Sequence, residues 1–325
     1  PVTIGGVSAS NRNFDGTRTA SLTGTPTVVG KEAGDDVSVA GTPTATFDSA
    51  NTGSGKKVSV TGYTLTGADA GNYELVSQPV LTANIAPLSL SSGSVTFTPP
   101  ADLVYDGDPK DYSASASGVA GFDLSYTGRN GTSYGPSAVA PTNAGDYTVT
   151  ASSTDVNKPG SDSLDFTITK APQTITFGVL GTTTERSPSF ALGATASSGL
   201  PVTYTSSNPS VATVSSGTVA IVGGGTTTIT ASQTGNDNYQ AATPVAQTLT
   251  VQTVWDAWAA GHGLTGSNRL TNADPDGDGF TNAQEFAFGT DPTVPNYKLF
   301  EMGESGGNFV VTFLWRADTA DAIYD

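Results

Sequence analysis

Oxygen-bearing side chains at alternate positions between residues 274 and 285 form the pattern in this chain with the clearest chemical meaning. Counted from Asp274, they occupy positions 1, 3, 5, 9 and 12, and Gly279 stands at position 6. A loop with this spacing wraps its oxygens around one calcium ion, and the glycine permits the sharp bend that returns the later ligands to it. The predicted metal ligands are Asp274, Asp276, Asp278, the backbone carbonyl of Phe280, Asn282 and Glu285.

A solvated acidic turn is the alternative interpretation of the same segment. It accounts for neither the alternate spacing nor the glycine, and four carboxylates packed this closely repel one another unless a cation neutralises them. The sequence therefore predicts Ca²⁺ as the bound cofactor, with magnesium a poor substitute because it prefers a smaller, octahedral shell. We predict no catalytic residues and no organic cofactor.

Two short helices are predicted to hold this loop. Trp255, Trp258, Ala259 and His262 recur at the spacing of one helical face, and Thr253 stands where an N-cap is expected. A second helix is predicted from Asn282 to Phe288, ended by Gly289. We expect the apolar faces around Trp255, Trp258 and Phe286 to pack together, which favours a core role for the tryptophans over a sugar-binding platform.

Composition and charge narrow the classes of function. The 325 residues include 13 basic and 29 acidic side chains, for a net charge of −16, and no cysteine. This balance argues against nucleic acid and anionic membrane surfaces as partners, since both attract a basic patch. The absence of cysteine excludes a disulfide framework and a thiol nucleophile. Because the chain opens without methionine and closes inside a strand pattern, we expect it to be a fragment of a longer protein.

Internal repetition predicts the domain organisation. Phe14-Asp15-Gly16 recurs as Tyr105-Asp106-Gly107, and Ala70-Gly71-Asn72-Tyr73 recurs as Ala144-Gly145-Asp146-Tyr147. Short alternating runs separated by Gly, Asn, Asp and Pro predict half-buried antiparallel strands, and the repeat length fits immunoglobulin-like β-sandwiches. The fold class is therefore mostly β. The predicted modules are 1–86, 87–170, 171–252, a helical metal-binding module at 253–296, and the truncated start of another β domain at 297–325.

The last predicted module depends on one more alternating run. After Tyr297, the side chains of Phe309, Val311, Phe313 and Trp315 are placed on one strand face, and residues 316–325 are expected to form a turn and begin another strand.

The repeated motifs resemble known families. Residues 12–85, with Asn13-Phe14-Asp15-Gly16-Thr17, resemble the YDG domain of bacterial surface proteins, and residues 87–170, with the second repeat, are similar to the MBG domain. Residues 171–251, with Ser207-Asn208-Pro209-Ser210-Val211-Ala212, resemble a bacterial Ig-like repeat. Residues 253–292 resemble an EF-hand-like or thrombospondin type 3-like calcium module. The association implies a large adhesin-like protein of the bacterial surface and identifies no ligand.

Three other features have structural interpretations. His262, the only histidine, is flanked by glycines at a helix end, and we interpret it as a capping or packing residue. The segment Gly223-Gly224-Gly225 lies between two β runs and is interpreted as a hairpin turn rather than a phosphate cradle. The recurring Tyr73, Tyr147 and Tyr239 are interpreted as structural tyrosines whose hydroxyls tie a corner of each module.

These observations favour a non-catalytic stalk or adhesion segment of a large bacterial cell-surface or secreted protein, with calcium stiffening one junction. Two rivals stay open: an accessory region of a secreted polysaccharide-degrading enzyme, and a carbohydrate-binding module. The predicted partner is an adhesion target, either a glycan or another surface protein. We expect an extracellular, monomeric segment without membrane insertion and without nucleic-acid binding.

Overall fold

β-strands are far more abundant than helices among the described residues, which confirms the predicted, mostly β fold class. The computed structural model describes residues 1–296, 300–306 and 308–313. It divides into two compact units, residues 1–171 and residues 172–325. The first unit contains the strands β1 Val2–Ala9, β2 Arg12–Asn13, β3 Leu22–Val29, β4 Ser38–Phe47, β5 Gly53–Thr66, β6 Leu75–Ser77, β7 Val80–Ala86, β8 Thr96–Thr98, β9 Ser113–Ser115, β10 Phe122–Arg129, β11 Gly145–Ser153 and β12 Ser161–Ile168.

Residues 1–86 form two sheets around one hydrophobic cluster. The sheet orders are β3-β1-β6 and β2-β7-β5-β4. Along β5, Val58 and Val60 are buried while Ser59 and Thr61 are exposed, which is the period-2 alternation of a strand with one dry face. Phe47 and Ile85 from neighbouring strands complete the buried side chains of this cluster.

The next cluster in the first unit is aromatic. Strands β10-β11-β12 form one antiparallel sheet and β8-β9 another. Tyr147 and Phe166 stack at 5.5 Å between ring centroids, and Tyr126 meets Phe166 edge-on at 6.3 Å. The Tyr147 hydroxyl donates to the Asn143 carbonyl at 2.8 Å. Tyr147 thus ties a corner of its module, as predicted from the recurring tyrosines.

The second unit begins with a further pair of sheets and a core centred on Ile229, Val219 and Leu249. The sheet orders are β14-β21-β20-β17 and β15-β19-β18, with a short β13-β16 pair beside them. The strands are β13 Ile175–Thr176, β14 Thr182–Thr184, β15 Phe190–Ala191, β16 Thr195–Ala196, β17 Thr203–Ser206, β18 Ala212–Ser215, β19 Thr218–Ile221, β20 Gly225–Ser232 and β21 Val245–Gln252.

The glycine run at 223–225 does not form the predicted hairpin. β19 pairs with β18 and β15, whereas β20 pairs with β17 and β21. The two strands that flank the glycines therefore lie in different sheets, and the run is a crossover between them. Gly224 lies where a Cβ atom would come 2.5 Å from Thr253 Cγ2, so the close passage of these segments requires glycine.

Among the described residues, three strand pairings are parallel, in addition to the predicted antiparallel ladders of the sandwiches: β1 with β6, β2 with β7, and β14 with β21. Arg12 pairs with Ile85 between β2 and β7, and Thr182–Thr184 pairs with the end of β21. Within the middle module, residues 87–170, an isolated parallel bridge joins Val104 to Thr169. Each of the three modules thus has a segment from its first quarter that runs parallel to a segment at its C-terminal end.

The helical module follows β21 directly. Helix α1 spans Val254–Gly261, a 3-10 turn spans Gly266–Arg269, and helix α2 spans Asn282–Phe288. Strands β22 Phe300–Ser305 and β23 Asn308–Phe313 then form an antiparallel pair. Tyr297, Trp315 and residues 316–325 lie outside the described residues, so the strand face predicted to include Trp315 stays a prediction.

Candidate metal centre

The acidic loop is coiled by bonds from its own backbone to its first carboxylate. Asp274 Oδ1 accepts from the backbone N–H groups of Gly277 at 2.9 Å and Asp278 at 3.2 Å, and Asp274 Oδ2 accepts from Gly279 at 3.0 Å. Gly277 and Gly279 have φ angles of 74° and 92°, which L side chains rarely adopt. The bond from Gly279, followed by the other backbone donors, lowers the pKa of Asp274.

The loop brings three predicted ligands together. Asp274, Asp276 and Asp278 each offer a carboxylate oxygen, and these oxygens all lie within 4.8 Å of one another. Burial, followed by the charges of Asp278 and Asp274, raises the pKa of Asp276. Phe280 donates its backbone N–H to Asp278 Oδ1 at 2.8 Å, and coordination by its carbonyl stays a prediction.

Glu285 stands on α2 as a fully buried carboxylate. Its Oε1 accepts from Asn296 Nδ2 at 3.0 Å and from the Thr290 hydroxyl at 3.4 Å. Burial is the main cause that raises its pKa to about 7, and the negative charges of Asp276 and Asp278 add to the effect. The charges of Asp276 and Asp278 thus act on Glu285, although Glu285 does not belong to the group of three aspartates whose carboxylate oxygens all lie within 4.8 Å of one another.

Asn282 occupies the first position of α2 and has no exposed surface. Its Nδ2 donates to the carbonyls of Asn268 at 2.7 Å and Leu270 at 2.9 Å. Because both acceptors are carbonyl oxygens, they determine which end of the amide is NH₂. The Oδ1 end is therefore fixed as well, and its position is set by the segment that precedes the loop.

The donor set fits a hard cation. Three of the predicted ligands carry a buried oxygen without a hydrogen-bond partner in the described structure: Asp276 Oδ2, Asn282 Oδ1 and Glu285 Oε2. Buried polar atoms are normally satisfied, and leaving one unpaired costs about 1–3 kcal/mol. An oxygen-coordinated ion would offset this cost at all three atoms, and six to eight oxygen ligands are what calcium takes. The residues therefore fit the predicted ion.

An aromatic cluster joins the two helices that flank the loop. Trp255 and Trp258 lie 5.2 Å apart between ring centroids, and each meets Phe286 at 5.4 Å. Both tryptophans are half-buried. The Thr253 hydroxyl caps α1 by accepting from Asp256 N at 2.9 Å. These contacts agree with the packing and capping predicted from the helical spacing.

The only histidine connects α1 to the segment after α2. His262 is the C-cap residue of α1, its ring lies 5.0 Å from that of Trp258, and its Nδ1 is 3.3 Å from Asp291 Oδ1. Asp291 also accepts from the backbone and hydroxyl of Thr293, and these two bonds are the main causes that lower its pKa. His262 is thus a capping and packing residue, as predicted.

Two residues outside the predicted ligand set have further roles: one bonds two of the predicted ligands, and the other bonds helix α1 to the β-sandwich. Asn296 donates its backbone N–H to Asp278 Oδ2 and its amide to Glu285 Oε1. Glu185, an exposed residue, accepts from Gly224 N at 2.7 Å through Oε1 and from Val254 N at 3.2 Å through Oε2. Ligand-spacing rules end at position 12 of the loop, so neither residue carried a signal in the sequence.

Glu185 links three segments where the β-sandwich meets α1. Its own backbone N–H donates to Gln252 O at 3.0 Å, which extends the pairing of β14 with β21. One carboxylate therefore bonds the glycine crossover and the first N–H of α1, an orphan donor that a helix start leaves unsatisfied. A negative charge at this end of the helix is also favoured by the helix dipole.

Three protein-family models match parts of the chain. The YDG domain matches residues 1–80, the MBG domain matches residues 94–172, and the immunoglobulin-like domain of intimin matches residues 192–235. These matches and the β-sandwich structure define an Ig-like protein of the surface and adhesin type. More particularly, it carries a YDG domain, then an MBG domain, then a segment of the intimin Ig-like type, an arrangement that fits a non-catalytic adhesion or stalk region.

Comparison with whole proteins adds little to these domain matches. No curated protein matches the chain. Solved structures similar to it include domains 3–5 of Drosophila OTK, at 8% identity and TM-score 0.20 over 76% of this chain and 95% of that one. Sidekick-1 immunoglobulin domains 1–5 match at 14% identity and TM-score 0.28, over 76% of this chain and 58% of that one. Mouse Protocadherin-24 EC1–3 matches at 11% identity and TM-score 0.21, over 69% of this chain and 92% of that one. TM-scores this low bear on neither ligand nor partner.

Within the described residues, neither of the two helices has the length and apolar character needed to cross a bilayer.

Proposed function

We propose that this chain is a non-catalytic stalk or adhesion segment in which one calcium ion stiffens the junction after the third β-sandwich. The ion binds Asp274, Asp276, Asp278, Asn282 and Glu285, with the Phe280 carbonyl as a further ligand. The observation that carries the proposal is the set of three buried, unpartnered oxygens on predicted ligands. Neutralisation of the clustered carboxylates supplies the driving force for binding.

Stiffening follows from where the ligands sit. The three aspartates and Phe280 belong to the loop, whereas Asn282 and Glu285 belong to α2, so one ion ties loop and helix together. Helix α2 contacts α1 through Phe286, and α1 is bonded to the β-sandwich through Glu185. Calcium therefore orders a continuous set of contacts that begins at the ion and ends at β21.

Binding itself is tested by calorimetry on the chain after chelator treatment. We expect one calcium ion per chain, with a dissociation constant of about 10⁻⁴ M or tighter, the range of extracellular modules. Magnesium is expected to give little heat at equal concentration. Asp276→Asn combined with Glu285→Gln should remove the response, whereas Asp237→Asn, at an exposed position outside the loop, should not. No heat at millimolar calcium would overturn the proposal.

Stiffening is tested separately with paired spin labels. The chain has no cysteine, so two introduced cysteines are its only thiol labelling sites. Asp237→Cys on the sandwich and Leu270→Cys beside the loop both replace exposed side chains. Calcium should narrow the distribution of distances between the labels. Binding without narrowing would leave a calcium site and remove its mechanical role.

A further inference from the structure

Asn296 closes over the acidic loop from the segment that follows α2. Its backbone N–H donates to Asp278 Oδ2, and its side-chain Nδ2 donates to Glu285 Oε1 at 3.0 Å. These acceptors lie 18 and 11 residues earlier in the chain. A single residue thus holds two of the carboxylates assigned to the ion.

The two bonds from Asn296 fix the orientation of the Asp278 and Glu285 carboxylates. Asp278 is held at Oδ2 by Asn296 and at Oδ1 by Phe280 N, and Glu285 is held at Oε1 by Asn296 and Thr290. No donor among the described residues bonds Glu285 Oε2. The donors therefore engage one oxygen of Glu285 and leave the other available, which orients the carboxylate before any ion arrives.

We propose that Asn296 is a positioning residue of the calcium centre. It holds Glu285 and Asp278 in their binding orientation and thereby couples occupancy of the site to the segment 290–296. The inference rests on the proposed function. Outer hydrogen-bond partners of metal ligands characteristically contribute about 10–100-fold to metal affinity, and Asn296 serves two ligands at once.

Two substitutions at Asn296 distinguish a positioning donor from a ligand. Asn296→Ala removes the bond to Glu285 and is expected to weaken calcium binding about 10-fold or more. Asn296→Asp cannot donate to Glu285 and adds a like charge beside it, so it should weaken binding as well. Binding by Asn296→Asp as tight as wild type, or tighter, would make Asn296 a direct ligand and overturn the inference. Val294→Ala, at an exposed side chain of the same segment, is the matched control and should leave affinity unchanged.

Two measurements separate positioning from general support of the fold. The stability of each metal-free variant is followed by urea unfolding, and calcium release is followed by stopped-flow mixing with a chelator. We expect faster release from Asn296→Ala than from Val294→Ala. If Asn296→Ala lowers only metal-free stability, with affinity and release rate unchanged, its role is structural and the inference is wrong. Failure of the wild-type chain to bind calcium would instead remove the proposed function and this inference with it.

Discussion

Replacing Glu285 by glutamine should stabilise the metal-free helical module and abolish its response to calcium. In the metal-free protein the buried carboxyl has its pKa raised from 4.5 to about 7, chiefly by burial. A raised carboxyl pKa opposes folding at high pH, because the folded state favours the protonated form. The stability of the metal-free module should therefore fall as pH rises from about 4.5 to about 7, and level off above that.

The size of the effect follows from the shift in pKa. About 2.5 units correspond to roughly 3 kcal/mol, an upper figure for the free energy that the charged carboxylate costs above neutral pH. Glutamine retains the size of the side chain and an oxygen for Asn296, without the charge. We therefore expect the metal-free Glu285→Gln module to be about 1–3 kcal/mol more stable than wild type near pH 8.

Calcium should offset this difference, and should reverse the order when the metal-free advantage of the variant is below about 2 kcal/mol. At a concentration about 100 times the dissociation constant, binding stabilises the wild-type module by about 2.7 kcal/mol. The glutamine variant lacks the charged ligand at the last loop position and should gain less than about 0.5 kcal/mol under the same conditions.

Tryptophan fluorescence during urea unfolding measures these changes, because Trp255 and Trp258 both contact Phe286, next to Glu285. Trp315, the remaining tryptophan, is changed to phenylalanine in every protein compared. Asp237→Asn removes the same charge from an exposed site and should shift neither curve. A metal-free variant less stable than wild type would refute the buried-charge argument. Equal stabilisation by calcium would refute the assignment of Glu285 as a ligand.

Three further outcomes are expected. Calcium affinity should fall about tenfold between about pH 8 and pH 6, because a proton competes with the ion at Glu285; calorimetry in two buffers should detect the released proton, and a flat profile would contradict the mechanism. Glu185→Gln should weaken the acceptor of the first N–H of α1 and broaden the distances between labels at residues 237 and 270, without changing calcium affinity; an unchanged distribution would remove Glu185 from the junction. Tyr147→Phe should lower the stability of β11, measured by amide exchange, by about 1 kcal/mol. The Tyr134 hydroxyl bonds the Val139 carbonyl at a more exposed position, so Tyr134→Phe should cost less. Equal losses would argue against a special corner role for Tyr147.

Local signals predicted the helical module well. The extent of α2, Asn282–Phe288, follows from a start that is capped at Thr281 and an end at Gly289, whose φ angle is 75°. Glycine and capping residues act within one turn of the helix, so neighbouring residues contain the information needed. The grouping of Asp274, Asp276 and Asp278 followed from loop spacing for the same reason. Their occupancy by calcium, and the module boundaries, stay predictions.

Partners distant in sequence could not be predicted. Asn296 reaches Asp278 across 18 residues, and Glu185 reaches Val254 across 69. Such pairs depend on how whole segments pack, which periodicity does not encode. The prediction of a hairpin at Gly223-Gly224-Gly225 was wrong for the same reason. A short loop between two β runs resembles a hairpin unless the sheet to which each strand belongs is known.

The parallel pairings bear on how these domains respond to force. In the third module β14, near its start, and β21, its last strand, run side by side in the same direction, from Thr182 paired with Thr250 to Thr184 paired with Gln252. A load between these two strands acts along them, across evenly spaced bonds that must yield together rather than one after another. The short pairing of Arg12 with Ile85 and the bridge of Val104 to Thr169 place the same kind of shear connection in the two preceding modules. Tension between the two paired segments of any of these modules is therefore resisted along the strands, in shear.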